Sequence, residues 1–299
     1  MFRNVAELVS LAEQHQVKIA EIMIRQEIEV SGLSREEVLA KMDQNLTVME
    51  RAIERGIKGV KSRTGLTGGD AVLLQNYIQS GKSLTGTLLL DAVSKAVATN
   101  EVNAAMGIIC ATPTAGSAGV VPGTLFAVKD KLNPTRQEMI EFLFTAGAFG
   151  FVVANNASIS GAAGGCQAEV GSASGMAAAA IVEMAGGTPK QSAEAMAITL
   201  KNMLGLVCDP VAGLVEVPCV KRNAMGASNA LTAADMALAG ITSRIPCDEV
   251  IGAMYAIGQS MPSALRETAE GGLAATPTGR RLEAEIFGHP KEKLIDYLV

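Results

Sequence analysis

Five cysteines are the residues of this 299-residue chain with the clearest chemical potential. Cys166, Cys208 and Cys219 lie beside glycine or proline, in G-A-A-G-G-C-Q, V-C-D-P and V-P-C-V. Loops of this kind can bend around a metal, and thiolates are ligands for soft metal ions. Cys110 also opens a loop, whereas Cys247 begins a helix in I-P-C-D. For each cysteine taken singly, the competing interpretation is a small buried hydrophobic residue.

The spacing of the three loop cysteines is a weak signal. Cys208 follows Cys166 by 42 positions and Cys219 follows Cys208 by 11. This is neither the tight C-x₂-C run of a ferredoxin nor a zinc ribbon. Disulfides are not expected, because the number of cysteines is odd and the N-terminus lacks the apolar run of a secretory signal. Metal binding or catalysis is the functional interpretation.

Other common catalytic groups are scarce. The only histidines, His15 and His289, lie near the chain ends, which argues against a histidine-based triad and a typical zinc enzyme. We find no P-loop and no G-x-G-x-x-G after a strand. Lys82 in S-G-K-S is the one lysine in a glycine and serine setting, and we expect it to be a loop charge. No pyridoxal phosphate is therefore expected.

Two loops concentrate hydroxyl, amide and exposed backbone N–H groups, which can bind a carboxylate without a cation. The alternative is that these groups cap helices and satisfy turns. The candidate substrate-binding residues are Thr112, Thr114, Gly116, Ser117, Asn156, Ser158 and Ser160.

Composition predicts a mainly α-helical protein. Hydrophobic residues make up 48% of the chain but aromatic residues only 3%, so small residues must let helices approach closely. The net charge of −5 and the few aromatics argue against nucleic-acid binding. The most apolar stretch, 139–156, contains Glu141 and is interpreted as a buried helix and turn, not a membrane span. We expect a soluble, cytoplasmic protein.

Helical spacing and cap signals divide the chain. We expect a single catalytic domain over 1–299, with about 1–55 as a possible separate helical layer. Capping boxes begin helices after Ser34 and Thr135, and Thr188-Pro189 begins another. A further helical region over 71–100 is split near 80–81, and another helix begins at 124. The other predicted helices cover about 5–31, 171–185, 220–239, 247–260, 263–270 and 290–299.

Three segments resemble the iron–sulfur L-serine dehydratases. They are N-A-S-I-S-G-A-A-G-G-C-Q-A-E-V-G (156–171), L-G-L-V-C-D-P-V-A-G-L-V-E-V-P-C-V-K-R-N-A (204–224) and R-E-T-A-E-G-G-L-A (266–274). The resemblance extends over roughly 64–274. It implies a largely helical fold, a [4Fe–4S] cluster bound by Cys166, Cys208 and Cys219, and conversion of L-serine to pyruvate and ammonia. It also admits a monovalent cation as a further cofactor.

The resemblance is closest to the α subunit of the two-subunit type. Single-chain relatives carry an additional domain before the catalytic one, and some end in a cysteine. We therefore expect a β subunit that resembles a small regulatory domain with an ACT-like module. In many relatives the loop near 112–119 reads A-P-T-N-G-A, and here it reads T-P-T-A-G-S. Ala115 removes an amide donor, and Ser117 is the candidate to replace it.

Three ligands would leave one iron of the cluster open to act as a Lewis acid on the substrate hydroxyl. The base that removes the Cα proton is not identified by the sequence, and the β subunit is one possible source. Two alternatives stay open. One is an iron–sulfur hydro-lyase for another hydroxy or amino acid, and the other is a non-catalytic iron–sulfur redox sensor.

Overall fold

A computed structural model describes residues 1–288. Within them the chain is all α-helical, as predicted, and β-pairing is limited to one parallel bridge between Cys208 and Arg266. Helices of the first half are α1 (Val5–His15), α2 (Ile19–Ser31), α3 (Arg35–Ile57), α4 (Asp70–Gln79), α5 (Thr87–Ala104), α6 (Val120–Leu132) and α7 (Arg136–Asn156). Helices of the second half are α8 (Gly161–Gly164), α9 (Ser172–Met184), α10 (Pro189–Lys201), α11 (Cys219–Leu238), α12 (Cys247–Ser260) and α13 (Pro277–Phe287).

Helix α9 forms the centre of the fold. Every residue from Ser172 to Glu183 is buried, and α6, α7, α10 and α11 pack around it. Because its alanines have small side chains, the neighbouring helices can approach it closely. A methyl group at Gly226 of α11, for example, would lie 2.6 Å from Oγ of Ser174. The expected dense core of small residues is therefore present.

One apolar core includes the first three helices. Phe2, Leu8, Ile24 and Leu46 belong to the same cluster of buried side chains as Met254 near the other end of the chain. The first three helices therefore share one apolar core with the later helices of the described chain.

Helix α7 contains the most apolar stretch of the sequence. Among the described helices it alone is long and apolar enough to cross a membrane, but 67% of its apolar window is buried inside the protein. We therefore interpret it as a core helix, in agreement with the sequence, although it continues unbroken through Asn156 instead of turning.

Local caps explain three of the helix starts. Ser34, Thr135 and Thr188 each accept a hydrogen bond from the backbone three residues ahead, and Glu37, Glu138 and Gln191 return one. All three capping signals in the sequence are thus confirmed.

Carboxylates from distant helices cap three other helix starts. Glu183 accepts from the backbone N–H groups of Ile19 (2.6 Å) and Ala20 (3.2 Å) at α2. Asp248 does the same at Val5 and Ala6 of α1, and Glu101 at Asp70 and Ala71 of α4. Each carboxylate satisfies two unpaired N–H groups and complements the positive end of the helix dipole.

Some predicted boundaries were wrong. The helical pattern over 5–31 is two helices, because Gln16 adopts a left-handed conformation (φ 53°). Helix α6 begins at Val120, not 124, since Pro122 is tolerated in a first turn, where its missing N–H has no intrahelical partner. Helix α8 lies inside a segment expected to be a loop.

The C-terminal part differs most from the prediction. Only Ser263–Leu265 of the expected helix 263–270 is helical, as a short 3₁₀ turn. Glu267 and Ala269 have φ angles of 63° and 56°, which an α-helix does not allow. Helix α13, with Thr276 as its cap, was missed. The predicted helix 290–299 lies outside the described residues.

Candidate active site

Cys166 and Cys208 come together in the interior with a carboxylate. Ligand atoms of Cys166, Glu169 and Cys208 all lie within 4.8 Å of one another, and the three residues are buried. Cys166 precedes a π-helical turn, Gln167–Gly171, which carries Glu169. Turns of this type often occur at functional sites. The group is compatible with metal binding.

The Cys208 segment is fixed by the irregular region that replaces the predicted helix. The backbone N–H of Cys208 donates to the carbonyl of Leu265 at 2.8 Å, and the N–H of Glu267 donates to the carbonyl of Cys208 at 2.7 Å. These two bonds form the single parallel bridge of the described chain. The side chain of Glu267 is thereby placed beside the cysteines.

Cys219 lies outside the tight group but within its electrostatic range. It begins α11, is buried, and its pKa is raised mainly by burial and also by the charges of Cys166 and Glu169. Cys110 is half-buried and Cys247 is buried. All five cysteines are free thiols.

The thiols of Cys166 and Cys208 differ in acidity. The pKa of Cys166 is lowered by a hydrogen bond from Cys208 and, against the effect of burial, by the guanidinium of Arg222. The pKa of Cys208 is raised by the same hydrogen bond and by burial. Cys166 is therefore the thiol most ready to become a thiolate, the form that binds metals.

Two carboxylates face the same point near Cys208. A methyl group at Gly161 would lie 2.9 Å from Sγ of Cys208, 3.1 Å from Oε2 of Glu267 and 3.2 Å from Oε2 of Glu169. Burial raises the pKa of Glu169, a hydrogen bond from Thr114 acts against it, and the Glu267 charge raises it further. The glycine at 161 keeps this space open.

The loop 112–119 forms one wall of the site. Oγ1 of Thr114 donates to Glu169 and lies 3.1 Å from Oγ of Ser117, which in turn donates to the carbonyl of Thr112 at 3.2 Å. A methyl group at Gly116 would lie 2.5 Å from Oε1 of Glu169, so a larger residue there would displace the Glu169 carboxylate. Of the four predicted residues of this loop, Thr114 and Gly116 therefore lie against Glu169, and Ser117 links Thr114 to Thr112.

The hydroxyl of Thr112 is the one that stands out. Its Oγ1 is buried and has no hydrogen-bond partner among the described residues. Unpaired buried hydroxyls are uncommon, since each loses its bonds to water. The hydroxyls of Thr67, Ser172 and Ser192 are also buried and unpaired among the described residues, but of these only Thr112 lies in the loop 112–119.

The predicted residues of the second loop, Asn156, Ser158 and Ser160, lie in different surroundings. The amide of Asn156 donates to the carbonyls of Arg3 and Val152, so it is engaged away from the cysteines. Oγ of Ser158 accepts from the N–H of Ser160, which directly precedes Gly161. A substrate role for Asn156, Ser158 and Ser160 stays a prediction.

Comparison with known proteins identifies the family. The profile of the serine dehydratase alpha chain family matches residues 14–274. The chain belongs to this family. It is 80% identical to the probable L-serine dehydratase, alpha chain, of Bacillus subtilis (strain 168), over 96% of each chain. It is 43% identical to the L-serine dehydratase, alpha chain, of Peptoniphilus asaccharolyticus, over 96% of this chain and 99% of that one.

A longer relative shares the same region. L-serine dehydratase TdcG of Escherichia coli (strain K12) is 37% identical over 281 residues, which are 91% of this chain but 61% of the relative. The resemblance noted in the sequence is therefore confirmed, as is its assignment to the alpha chain of the family.

Several members of the site were missed by sequence reasoning. Glu169 lies within the quoted motif Q-A-E-V but was not selected as a site residue, nor were Glu267, Arg222 or Asn223. Their position inside the three family motifs is the signal that could have identified them. Acid–base chemistry was sought among histidines, and His15 is an exposed residue of α1 while His289 lies outside the described residues.

Proposed function

We propose that this chain is the catalytic subunit of an L-serine dehydratase that converts L-serine to pyruvate and ammonia. The observation that supports it best is the convergence of Cys166, Cys208 and Glu169 within 4.8 Å, inside the motifs of the serine dehydratase alpha chain family. Of the two alpha-chain relatives named above, one is named an L-serine dehydratase and the other a probable L-serine dehydratase.

We propose Cys166, Cys208 and Cys219 as ligands of a [4Fe–4S] cluster. The donor set fits this group, because all three side chains are buried free thiols and Cys166 receives hydrogen bonds from its surroundings. When bound, such a cluster supplies a Lewis-acidic iron that assists departure of the substrate hydroxyl. Cys166 and Cys208 belong to the main buried apolar cluster, which keeps water away from them.

The loop 112–119 is the proposed binding site for the serine carboxylate. The unpaired hydroxyl of Thr112 offers a donor, and the fixed geometry of Thr114 and Ser117 holds the loop in one conformation. Since Ala115 is exposed and carries no amide, the side chain at this position contributes no hydrogen bond. Thr112 then replaces Ser117 as our first candidate for the missing donor.

Glu169 is the proposed base for the Cα proton. Burial makes its carboxylate a stronger base than an exposed one, and Thr114 orients it. A base in this chain removes the need to obtain one from a partner. Glu169→Gln preserves the volume and should lower kcat by about 10²–10⁴-fold.

The matched control for the base is Glu267→Gln, which changes the facing carboxylate of the same pair. Deuterium exchange at Cα of serine, followed by mass spectrometry, reports the proton transfer directly. If deuterium exchange at Cα persists in Glu169→Gln but disappears in Glu267→Gln, Glu267 and not Glu169 would be the base.

Reconstitution tests the function as a whole. Purified chain is incubated anaerobically with iron and sulfide, and serine-dependent pyruvate release is measured. Replacement of Cys166, Cys208 or Cys219 by serine should abolish both colour and activity, whereas the Cys110→Ser and Cys247→Ser controls should retain the colour. A coloured protein inactive on serine would contradict the proposal, and activity on another hydroxy or amino acid would change the substrate.

We further propose that a β chain with an ACT-like module assembles with this subunit in the cytoplasm. The name alpha chain, carried by the family and by the relatives, supports a partner chain. A comparison of pyruvate release with and without the co-expressed β chain tests it. Equal rates per catalytic chain would argue against a site shared between subunits.

A further inference from the structure

Arg222 contacts Cys166 and both sequence neighbours of Cys208. Its Nη1 lies 3.3 Å from Sγ of Cys166 and also donates to the carbonyl of Val207 at 2.7 Å. Its Nη2 donates to Oδ1 of Asp209 at 2.8 Å. Val207 and Asp209 are the two neighbours of Cys208. One guanidinium therefore joins the thiol of Cys166 to the backbone carbonyl of Val207 and to the side-chain carboxylate of Asp209, on the two sides of Cys208.

The Arg222–Asp209 pair is buried and its polar atoms are engaged. The side chains are 13% and 4% exposed, respectively. The second oxygen of Asp209 accepts from the backbone N–H of Leu273 at 2.7 Å. Further hydrogen bonds of this kind offset the desolvation cost of a buried ion pair.

The position of Arg222 on its helix explains how it reaches the site. It lies three residues after Cys219 on α11, so both side chains project from the same face of the helix. Both hydrogens of Nη1 are already donated, one to sulfur and one to Val207. The terminal nitrogen nearest the cysteines is thus committed to the protein and not open to the carboxylate of a substrate.

We propose that Arg222, held by Asp209, is a positioning residue that fixes Cys166 and Cys208 for cluster binding and raises the reduction potential of the cluster. This inference rests on the proposed function. An N–H donor and a positive charge beside a cysteine sulfur withdraw electron density and favour the more negative, reduced state of the cluster. Partners of this kind also hold ligands in their binding geometry.

The test uses the anaerobically reconstituted full-length chain and four variants. Arg222→Met removes the charge, Arg222→Lys keeps the charge without the planar fork, and Asp209→Asn removes the counter-charge. Lys221→Met is the matched control, because Lys221 is the exposed neighbour that pairs with Asp70. The measurements are iron and sulfide content, the rate at which cluster absorbance is lost in air, and the midpoint potential by EPR-monitored titration.

Arg222→Met should lose its cluster about 10-fold faster than the wild type and show a more negative midpoint potential. Asp209→Asn should shift the potential the opposite way, since it leaves the charge of Arg222 uncompensated. Arg222→Lys should lose the cluster faster but keep a potential closer to the wild type. Lys221→Met should match the wild type in both measurements.

A midpoint potential in Arg222→Met equal to that of the wild type would overturn the inference, even with faster cluster loss, because a merely structural role predicts that result. If Arg222→Met does not fold, two other results decide the question: a more positive midpoint potential in Asp209→Asn and faster cluster loss in Arg222→Lys. The absence of the potential shift in Asp209→Asn then overturns the inference. A wild-type chain that takes up no iron and sulfide would overturn the proposed function and this inference together. A loaded wild type with unaffected variants would overturn the inference alone.

Discussion

The amide of Asn223 donates to the carbonyl of Gly116 at 2.7 Å, joining helix α11 to a loop 107 positions earlier. The oxygen of the same amide accepts from the N–H of Gly119 at 3.0 Å, and Asn100 donates to Gly116 from the other side. Asn223 is fully buried and lies one helical turn after Cys219. The loop that carries Thr112 is therefore held in register with a proposed cluster ligand.

Asn223→Ala should weaken both the fold and substrate binding. The buried N–H of Gly119 would lose its partner, which costs about 1–3 kcal/mol of unfolding free energy. The KM for serine should rise because the loop is no longer fixed. Urea denaturation and initial-rate kinetics measure the two effects. Asn229→Ala, which removes a half-buried amide from the same helix, should leave KM unchanged.

Gly161→Ala should reduce serine turnover by about 100-fold, since its methyl group must displace Cys208 or the two carboxylates. Gly147→Ala is the matched control, because a methyl group at Gly147 of α7 meets no atom within 4 Å. That control should raise the unfolding free energy by about 0.5–1 kcal/mol and leave turnover intact. Equal turnover in the two variants would contradict the geometry around Gly161.

The cap formed by Glu183 should give stability an unusual pH dependence. Burial raises its pKa above the ordinary 4.5, outweighing the hydrogen bonds from Thr145, Ile19 and Ala20. The folded chain therefore keeps a proton that the unfolded chain has lost. Stability from this group is greatest at low pH and falls as the pH rises from 4.5 through the folded-state pKa.

Urea denaturation of wild type and Glu183→Gln, between about pH 4.5 and about pH 8, tests this. The difference in unfolding free energy, wild type minus variant, should decrease as the pH rises. Glu21→Gln is a control of opposite sign, because a hydrogen bond from Arg35 lowers the pKa of Glu21. Its contribution is lost as the pH falls below 4.5, so this control is extended down to about pH 3, where the difference should increase with pH. A flat difference for Glu183 would show that its carboxyl titrates normally.

Asp248→Ala should loosen the start of helix α1. The variant removes the bonds to the N–H groups of Val5 (2.8 Å) and Ala6 (3.0 Å), and loss of a cap costs about 0.5–2 kcal/mol. Hydrogen exchange should accelerate at these two amides and not in α9. Asp235→Ala, at an exposed helical position, should change neither exchange nor stability. Unaltered exchange at Val5 would mean that Asn4 alone caps the helix.

Signals confined to a few neighbouring residues were predictable. The caps at Ser34, Thr135 and Thr188 depend on residues three positions apart, so the sequence alone reveals them. Thr276-Pro277 carries the same start signal as Thr188-Pro189, and α13 could have been found from it. The helical class follows from composition, because small residues permit the close packing seen around α9.

Long-range relationships were not predictable. Ser263 to Glu270 has helical composition, but its backbone pairs with Cys208 instead, and tertiary contact overrides propensity there. The cap at α2 comes from Glu183, 164 positions away from Ile19. In the sequence, Glu169 and Arg222 have no feature that separates them from ordinary helical residues. Only the fold shows that they lie beside the cysteines. The family motifs located the site, whereas its acid–base and charge partners required the structure.

The backbone of Cys208 forms hydrogen bonds with residues far later in the chain, Leu265 and Glu267. The carboxylate of Asp209 likewise accepts a hydrogen bond from the N–H of Leu273. During synthesis, therefore, all three proposed ligands leave the ribosome well before the segment that fixes one of them. A nascent chain of fewer than about 270 residues already contains all three cysteines, but it lacks the segment whose hydrogen bonds hold Cys208 in position. Loading of the proposed cluster should therefore follow synthesis of this segment, and chains truncated before residue 273 should lack a competent metal pocket.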